Sequence, residues 1–350
     1  MQVSPYNIGF TRDFLTADGE LTYQDIGLDL LDAAPGVSRH FFTHHEPIVS
    51  PEQIRDCDAL IALTPQCTAE TFRGAERLLV IERFGVGYDM VDVAACTEAG
   101  VALCITVGAV NHSVAESIIT WMLALSHRVP AKDRLLREGG WQERAHYMGS
   151  ELRERTLGVI GLGGIGGALV EMLRGFGMRP PVAYDPYARE EHAAQLGVRL
   201  LPLDELLRTS DFVSVNCPLN DQTRNLLGEH ELALMKPDAY LINTARGGIV
   251  NEAALTSALR EGRLAGAGID VFEKEPVTEA GHPLAEFENV LLAPHSIAWT
   301  NELFRDIGRR ACETVLAFSR GEPPERYVVN REVLQRDNFQ KKLAKFQRNS

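Results

Sequence analysis

The chain has 350 residues, of which 45% are hydrophobic and 24% are charged. Its length predicts about two domains of roughly 100–200 residues each, and its composition is that of an ordinary water-soluble protein. The formal net charge of −13 speaks against nucleic-acid binding, which requires a basic surface.

In the first third of the chain, short apolar segments alternate with helical or loop segments. This alternation is typical of an α/β protein with a parallel sheet. The four strands predicted here are "NIGF", "ALIAL", "LLVIER" and "VALCIT".

The pattern changes at Thr106–Ser113, where a long helix begins. One face of this helix carries Val114, Ile118, Met122 and Leu125. We interpret it as the crossing into a second domain. The strands predicted there are "LGVIG", "PVAYD", "DFVSV", "AYLINT", "AGIDV" and "NVLLA". Six such strands with helices between them predict a doubly wound sheet.

The amphipathic segment "ELFRDIGRRACETVLAFSRG" has no strand of this sheet left to precede. We expect it to return to the first domain, which is then discontinuous. The basic cluster in "QKKLAKFQR" predicts a solvated C-terminal helix. The predicted domains are residues 1–107 with 300–332, residues 108–299, and a tail at 333–350.

Six cysteines are scattered without a CxxC pair. This suits reduced thiols in the cytoplasm better than a disulfide framework or a zinc site. The N-terminal segment "MQVSPYNIGFTRDF" lacks the regions of a signal peptide, and the longest apolar stretch, "IITWMLAL", is too short to span a bilayer. We therefore expect a cytoplasmic protein that binds no metal, membrane or nucleic acid.

The segment "LGVIGLGGIGG" places Gly161, Gly163 and Gly166 in GxGxxG spacing between a predicted strand and a helix. These glycines suit a tight turn, the approach of a pyrophosphate and close packing of helix on strand. Asp185 ends the next strand, near the spacing expected for the acid that binds the ribose hydroxyls. A carboxylate repels a 2′-phosphate, and the following "PYA" has no arginine. The sequence therefore predicts NAD rather than NADP.

Three polar residues follow other strands of the same sheet. Arg246 comes after "AYLINT", Glu275 after "AGIDV" and His295 after "NVLLA". Ligands bind at the carboxyl edge of an open parallel sheet, so we expect these side chains to converge beside the nicotinamide. Gly247 and Gly248 are expected to let the chain turn without crowding the cofactor.

These three residues suit hydride transfer between a nicotinamide and a ketone. Protonated His295 would give a proton to the carbonyl oxygen and take it back in the reverse direction. Glu275 would hold the imidazole and favour its charged form. Arg246 would bind the substrate's carboxylate or carbonyl oxygen.

From about Asp58 to Asn330 the chain resembles the D-isomer-specific 2-hydroxyacid dehydrogenases, which include phosphoglycerate, glyoxylate and hydroxypyruvate enzymes. The matching segments are "FGVGYDMVD", "SVAE", "GLGGIG", "NCPLNDQT", "NTARGGIVNE", "GAGIDVFEKEP" and "PH". The resemblance implies a Rossmann NAD-binding domain inserted in a flavodoxin-like substrate domain. It implies the catalytic triad Arg246, Glu275 and His295, and a homodimer joined through the NAD-binding domain.

The resemblance also implies further contacts. Asp270 would hold the nicotinamide amide, and backbone amides of Val86 and Gly87, with Arg246 and His295, would bind the substrate. The remaining residues implied in cofactor binding are Gly164, Ile165, Cys217, Pro218, Thr223, Thr244, Ala245, Arg246, His295 and Ala298.

Some positions depart from the family pattern. Gly164 stands where arginine is frequent, which removes one possible phosphate contact. Ile297 and Trp299 are bulkier than the residues that often follow the histidine. The roles of Arg83, Asn111, His112 and Trp299 are open, as is the identity of the 2-ketoacid.

Two other functions stay open. The C-terminal-binding-protein corepressors resemble the chain in "VNCPLN", "NTARGG" and a tryptophan after the histidine, although their tryptophan falls one residue earlier. That likeness implies an NAD-sensing scaffold. A phosphite-type dehydrogenase would use the same triad on another anion. Formate dehydrogenase relatives carry glutamine in place of Glu275, which argues against that activity.

Overall fold

The computed structural model describes residues 5–347, and the chain divides into two compact units. One unit contains the residues up to Val110 together with those from Thr300 onward. The other unit is Asn111–Trp299. The first unit is thus discontinuous, and the second is inserted into it.

The first unit is built on a five-stranded parallel sheet. Its strands are β1 Tyr6–Phe10, β2 Val37–Phe41, β3 Ala59–Ala62, β4 Val80–Arg83 and β5 Ala102–Ile105. Their order is β2-β1-β3-β4-β5, which is the flavodoxin-like order. The sequence prediction missed β2. This strand lies at the sheet edge and is only partly buried, so "VSRHF" shows no apolar run.

The second unit contains a seven-stranded parallel sheet. Its strands are β6 Leu157–Ile160, β7 Val182–Tyr184, β8 Arg199–Leu200, β9 Phe212–Val215, β10 Tyr240–Asn243, β11 Gly266–Ile269 and β12 Val290–Leu292. The order β12-β11-β10-β9-β6-β7-β8 is that of a Rossmann sheet with one added edge strand. Six strands were predicted. The seventh, β8, has two residues at the edge and no periodic pattern. The predicted fold class is confirmed.

Helices cover both sheets. Those of the first unit are α1 Leu28–Asp32, α2 Pro51–Ile54, α3 Val93–Glu98, α11 Asn301–Ser319 and α12 Asp337–Gln347. Those of the second unit are α4 Asn111–Ser126, α5 Val129–Arg137, α6 Gly164–Met172, α7 Glu190–Leu196, α8 Leu203–Thr209, α9 Glu229–Leu234 and α10 Glu252–Arg260. The 3₁₀ helices are Arg12–Phe14, Trp141–Tyr147, Leu173–Phe176, Pro283–Glu286, Glu325–Tyr327 and Arg331–Gln335. Within residues 5–347, no helix has the length and apolarity needed to cross a membrane.

Helix α4 packs on the sheet of the second unit through the face predicted from its periodicity. Ile118 and Met122 are fully buried in a cluster that also contains residues of α6 and β6. On the same helix Trp121 lies against β11 at Gly268, where a Cβ would come within 2.6 Å of the indole ring. The close approach of α4 therefore depends on the absence of a side chain at Gly268.

The C-terminal helix α12 is not solvated on all sides, so that prediction is wrong. Phe339 and Leu343 are buried. Lys342 is also buried, and its Nζ donates to the backbone oxygens of Ala75, Leu78, Ala99 and Gly100 at 2.8–3.2 Å. The ammonium group thus donates to backbone carbonyl groups of the first unit rather than to water, and these hydrogen bonds offset the cost of burying its charge.

Asn330 joins the C-terminal part of the first unit to α3 and β5 by hydrogen bonds. Its Oδ1 accepts from the Leu103 N–H at 2.8 Å, and its Nδ2 donates to Thr97 Oγ1 at 2.9 Å and to the Val101 carbonyl at 3.0 Å. Asn330 is almost fully buried. The side chain therefore completes hydrogen bonds that water cannot replace.

Asn330→Ala should destabilise the protein by about 2 kcal/mol, because it leaves the buried Leu103 N–H without an acceptor and leaves the Val101 carbonyl with only the weak donor Cys96 Sγ. The midpoint of urea denaturation measures this loss. Asn338→Ala is the matched control, since Asn338 donates to the Glu98 carbonyl at an exposed position; its effect should stay below about 1 kcal/mol. Equal losses in the two variants would contradict the account.

Candidate active site

The glycine-rich loop lies between β6 and α6, as predicted. Gly161 follows β6 with a φ of 95°, a backbone conformation that favours glycine. A Cβ on Gly166 would lie 2.3 Å from the Gly161 carbonyl oxygen, so the first turn of α6 packs directly on the loop. The N-terminus of α6, with Gly163 at its N-cap, is thereby held at the carboxyl edge of the sheet, where its free N–H groups attract anions.

Asp185 lies directly after β7, beside this loop. Its Oδ2 accepts from the Leu162 N–H at 2.9 Å and its Oδ1 from the Tyr187 N–H at 2.8 Å. Both oxygens are thus oriented by the backbone, and each retains a lone pair for a further donor. The arrangement suits two ribose hydroxyl groups.

Hydrogen bonds within the loop after β9 hold its conformation. Thr223 Oγ1 donates to the Pro218 carbonyl at 2.6 Å and accepts from the Asn220 N–H at 2.8 Å. The exposed Tyr187, which follows Asp185, donates through its hydroxyl group to Gln222 at 2.8 Å. The loops after β7 and β9 are therefore joined by a side-chain hydrogen bond. Cys217 is partly buried, and burial raises the pKa of its thiol to about 11, so it is not a nucleophile at neutral pH.

Three neighbouring strands end at the same level. In the sheet register Asn243 of β10 pairs with Ile269 of β11, and Ile269 pairs with Leu292 of β12. These are the last residues of the three strands. The loops carrying Arg246, Glu275 and His295 therefore leave one edge side by side.

Glu275 and His295 are in contact. Glu275 Oε2 lies 2.9 Å from His295 Nδ1, and Glu275 Oε1 accepts from the Phe272 N–H at 2.9 Å. Burial by itself raises the pKa of Glu275, but the hydrogen bonds from His295 and Phe272 and the charges of His295 and Arg246 outweigh it. The pKa of Glu275 is therefore below its usual value, and the group is a carboxylate at neutral pH. Its contact leaves Nε2 as the free imidazole nitrogen.

Arg246 stands on a loop shaped by Asn243, which the sequence pattern does not single out. Asn243 Oδ1 accepts from the Ala245 N–H at 3.1 Å and Nδ2 donates to the Arg246 carbonyl at 3.0 Å. Asn243 is buried at the end of β10. A polar residue ending an apolar strand is the signal that could have identified it.

Gly247 lies directly against the neighbouring loop. A Cβ on Gly247 would lie 1.8 Å from the Phe272 carbonyl oxygen, so the missing side chain lets the Arg246 loop touch the Glu275 loop. Gly248 makes the turn, with a φ of 77°. The neighbouring loop therefore leaves no room for a side chain at Gly247.

Asp270 holds the turn that carries His295. Its Oδ1 accepts from the N–H groups of Ser296 and Ile297 at 2.8 and 3.1 Å. His295 has a φ of 52°, a conformation rarely adopted by residues other than glycine. Burial raises the pKa of Asp270 to about 6, although the two N–H groups lower it in part. Sequence reasoning did not assign Asp270 this supporting role.

The other residues expected at the site occupy two places. In the second unit, Thr244 and Ala245 follow β10, and Ala298 is buried shortly after His295. In the first unit, Val86 and Gly87 are partly buried in the loop that follows β4.

A family model described as "D-isomer specific 2-hydroxyacid dehydrogenase, NAD binding domain" matches residues 119–296. A glyoxylate reductase from Korarchaeum cryptofilum is 41% identical over 287 residues, which cover 81% of this chain and 86% of that protein. The chain belongs to the D-isomer specific 2-hydroxyacid dehydrogenase family. It is an NAD-dependent oxidoreductase of that class, as the sequence predicts.

Other relatives agree with this D-2-hydroxyacid dehydrogenase assignment. A D-3-phosphoglycerate dehydrogenase from Methanocaldococcus jannaschii is 39% identical over 279 residues, covering 79% of this chain and 52% of that protein. A D-lactate dehydrogenase from Aquifex aeolicus, solved with NAD and lactic acid, superposes with a TM-score of 0.80 at 27% identity. That match covers 93% of this chain and 99% of the other.

The dehydrogenase has a binding surface that fits NAD. A Cβ on Gly163 would meet no described atom within 4 Å, so the α6 N-terminus is accessible to a pyrophosphate. The Asp185 carboxylate lies beside it, fixed by two backbone N–H groups. NAD is the cofactor, as predicted.

Two acidic residues, Glu252 and Glu273, join the loop of Arg246 to the loop of Glu275. Glu252 N–H donates to Glu273 Oε1 at 3.0 Å, and Glu273 N–H donates to Glu252 Oε1 at 2.5 Å. His282 Nε2 lies 3.5 Å from Glu252 Oε2, while its Nδ1 accepts from the Leu284 N–H. Glu252 begins α10, after the Arg246 loop, and Glu273 precedes Glu275. This reciprocal pair therefore braces the two loops against each other.

Asp270→Asn should stabilise the free enzyme at pH 7.5 but not at pH 4. A folded-state pKa near 6 against an ordinary value of 3.8 favours the neutral acid in the fold. The stabilisation by the neutral acid is present below about pH 4 and is lost as the pH rises through about 6, to the extent of roughly 3 kcal/mol. Asparagine keeps the accepting oxygen and carries no charge. Urea denaturation of both proteins at each pH measures the difference, and a pH-independent difference would contradict the prediction.

Proposed function

We propose that the enzyme reduces a small 2-ketoacid to the D-2-hydroxyacid with NADH, using Arg246, Glu275 and His295. The observation that carries the proposal is the 2.9 Å contact between Glu275 and His295, on loops adjacent to that of Arg246. The three residues have complementary chemistry: a carboxylate, a titratable imidazole and a permanent cation.

His295 is proposed as the acid and base. Glu275 engages Nδ1, so Nε2 is the atom that holds the proton for the carbonyl oxygen of the ketoacid. The Glu275 carboxylate contacts Nδ1 and fixes the orientation of the imidazole. The bound nicotinamide supplies the hydride. In the direction of oxidation, Nε2 takes the proton from the hydroxyl group of the substrate.

Arg246 is proposed to bind the substrate carboxylate and carbonyl oxygen, where a guanidinium stabilises the negative charge that develops. The backbone amides of Val86 and Gly87 are proposed as further donors to the carboxylate. Asp270 is proposed to accept from the nicotinamide amide through Oδ2, since Oδ1 is engaged by Ser296 and Ile297.

Glyoxylate is the first substrate to test, because relatives at 36–41% identity carry the name glyoxylate reductase. Hydroxypyruvate and phenylpyruvate extend the series to larger side chains. The cytoplasm is the proposed location, supported by six free cysteines that suit a reducing compartment.

His295→Ala should lower kcat for 2-ketoacid reduction by about 10²–10⁴, the usual contribution of a general acid. The measurement is NADH oxidation followed by absorbance with each 2-ketoacid. His230→Ala is the matched control, because His230 lies exposed on α9. NADH binding should be retained in both variants, which separates the loss of proton transfer from the loss of the fold.

Glu275→Gln provides the internal check on this mechanism. Removing the carboxylate should lower kcat for 2-ketoacid reduction while NADH binding is retained, because the imidazole loses the group that orients it. Negligible wild-type turnover with every 2-ketoacid, together with capture of a specific peptide only when NAD is bound, would favour an NAD-sensing scaffold. Turnover of phosphite by the wild type and not by His295→Ala would redirect the proposal to that anion.

The enzyme is also proposed to form a homodimer through its NAD-binding unit. Helix α5 has no buried residue. It and the 3₁₀ helix that follows present apolar side chains to solvent. More than half of the surface is exposed in each of Val129, Leu136, Trp141 and Met148. Apolar groups clustered in this way are typical of a surface covered by a partner.

Light scattering coupled to gel filtration should give a mass about twice the chain mass of 38.6 kDa. The double variant Leu136→Asp/Trp141→Asp should shift the protein towards the monomer, because it places charges in the proposed interface. Phe176→Asp is the control, as Phe176 is partly exposed elsewhere on the unit. A monomeric wild type would contradict the proposal.

A further inference from the structure

A carboxamide from another helix occupies the place where a side chain at position 164 would begin. Gly164 is the first residue of α6. A Cβ built on it would lie 2.5 Å from Nδ2 and 2.8 Å from Oδ1 of Asn111. Such distances are too short for real atoms, so a side chain at 164 and the present position of Asn111 exclude each other.

The adjacent position is open. Gly163 is exposed, and a Cβ there would meet no described atom within 4 Å. The pyrophosphate of a dinucleotide approaches the backbone at this glycine. The Asn111 carboxamide therefore stands one residue away from the surface that the pyrophosphate approaches.

Asn111 is also the first residue of α4, so two helices begin at the same place. They pack on each other through a shared core that includes Ile118 and Leu169. The first N–H groups of each helix lack intrahelical acceptors and carry partial positive charge. Within residues 5–347 the Asn111 side chain forms no hydrogen bond, and Nδ2 is a donor without a protein acceptor.

We propose that Asn111 binds the pyrophosphate of NAD through Nδ2, from the space that a side chain at Gly164 would otherwise fill. Asn111 belongs to α4, so the side chain that binds phosphate beside position 164 comes from a different helix than Gly164 of α6. The contact supplies a neutral donor rather than a cation. This inference rests on NAD binding and is independent of the ketoacid and of the proposed catalytic roles.

The test is the dissociation constant of NADH, measured with the full chain by energy transfer from tryptophan to NADH. Asn111→Ala should weaken binding about tenfold, the usual effect of losing a hydrogen bond to a charged group. Competition by ADP-ribose, which keeps the pyrophosphate and lacks the nicotinamide, should weaken by the same factor. His112→Ala is the matched control: it is the next residue of α4, exposed, with only a 3.6 Å contact to Glu116. It should leave both constants unchanged.

A second variant tests the exclusion between the two positions. Gly164→Arg alone should weaken NADH binding, because the arginine stem meets Asn111. Combined with Asn111→Ala it should restore binding and make the constant depend on salt, since a cation then faces the pyrophosphate. Wild-type affinity in Asn111→Ala would overturn the proposal, as would simple additivity of the two substitutions. Melting temperatures of all variants without NADH exclude loss of the fold as the cause.

Discussion

The site depends on the level at which three parallel strands end. β10, β11 and β12 are adjacent, and their last residues are paired in register. Because parallel strands all point their carboxyl ends to one edge, three loops that are distant in sequence begin side by side. A shift of one residue in this pairing would turn every side chain of a strand to the opposite face. The relative positions of Arg246, Glu275 and His295 therefore depend on this register.

The loops beyond that edge are held by carboxylates that accept from backbone N–H groups. Asp270 fixes the turn after His295, Glu275 accepts from Phe272, and the pair Glu252 and Glu273 joins two of the loops. An ionised acceptor makes a stronger hydrogen bond than a neutral one. The cost is burial of charge, which is visible in the raised pKa of Asp270. Burial of these charged groups thus lowers the stability of the fold, while their hydrogen bonds fix the geometry of the loops.

Much of the fold was predictable because buried parallel strands are short apolar runs. The ten strands predicted are all present, and the two missed strands, β2 and β8, lie at sheet edges where no apolar run is needed. The C-terminal helix was misjudged because its charge pattern suggests a solvated face, whereas the Lys342 ammonium is buried against backbone carbonyls. Periodicity records which residues are apolar, and it does not record which polar groups find buried partners.

For this protein, the sequence by itself determined the family and the NAD-binding unit, and it singled out the residues proposed to carry the chemistry, since strand, glycine loop and acidic residue have fixed spacings in a Rossmann unit. The tertiary structure alone decided which atoms meet. It paired Glu275 Oε2 with His295 Nδ1, set Gly247 against Phe272, and brought Asn111 to the space beside Gly164. The physical reason is that hydrogen bonds and close contacts depend on distances of a few tenths of an ångström between residues far apart in the chain. Such distances follow from packing, which no local pattern encodes.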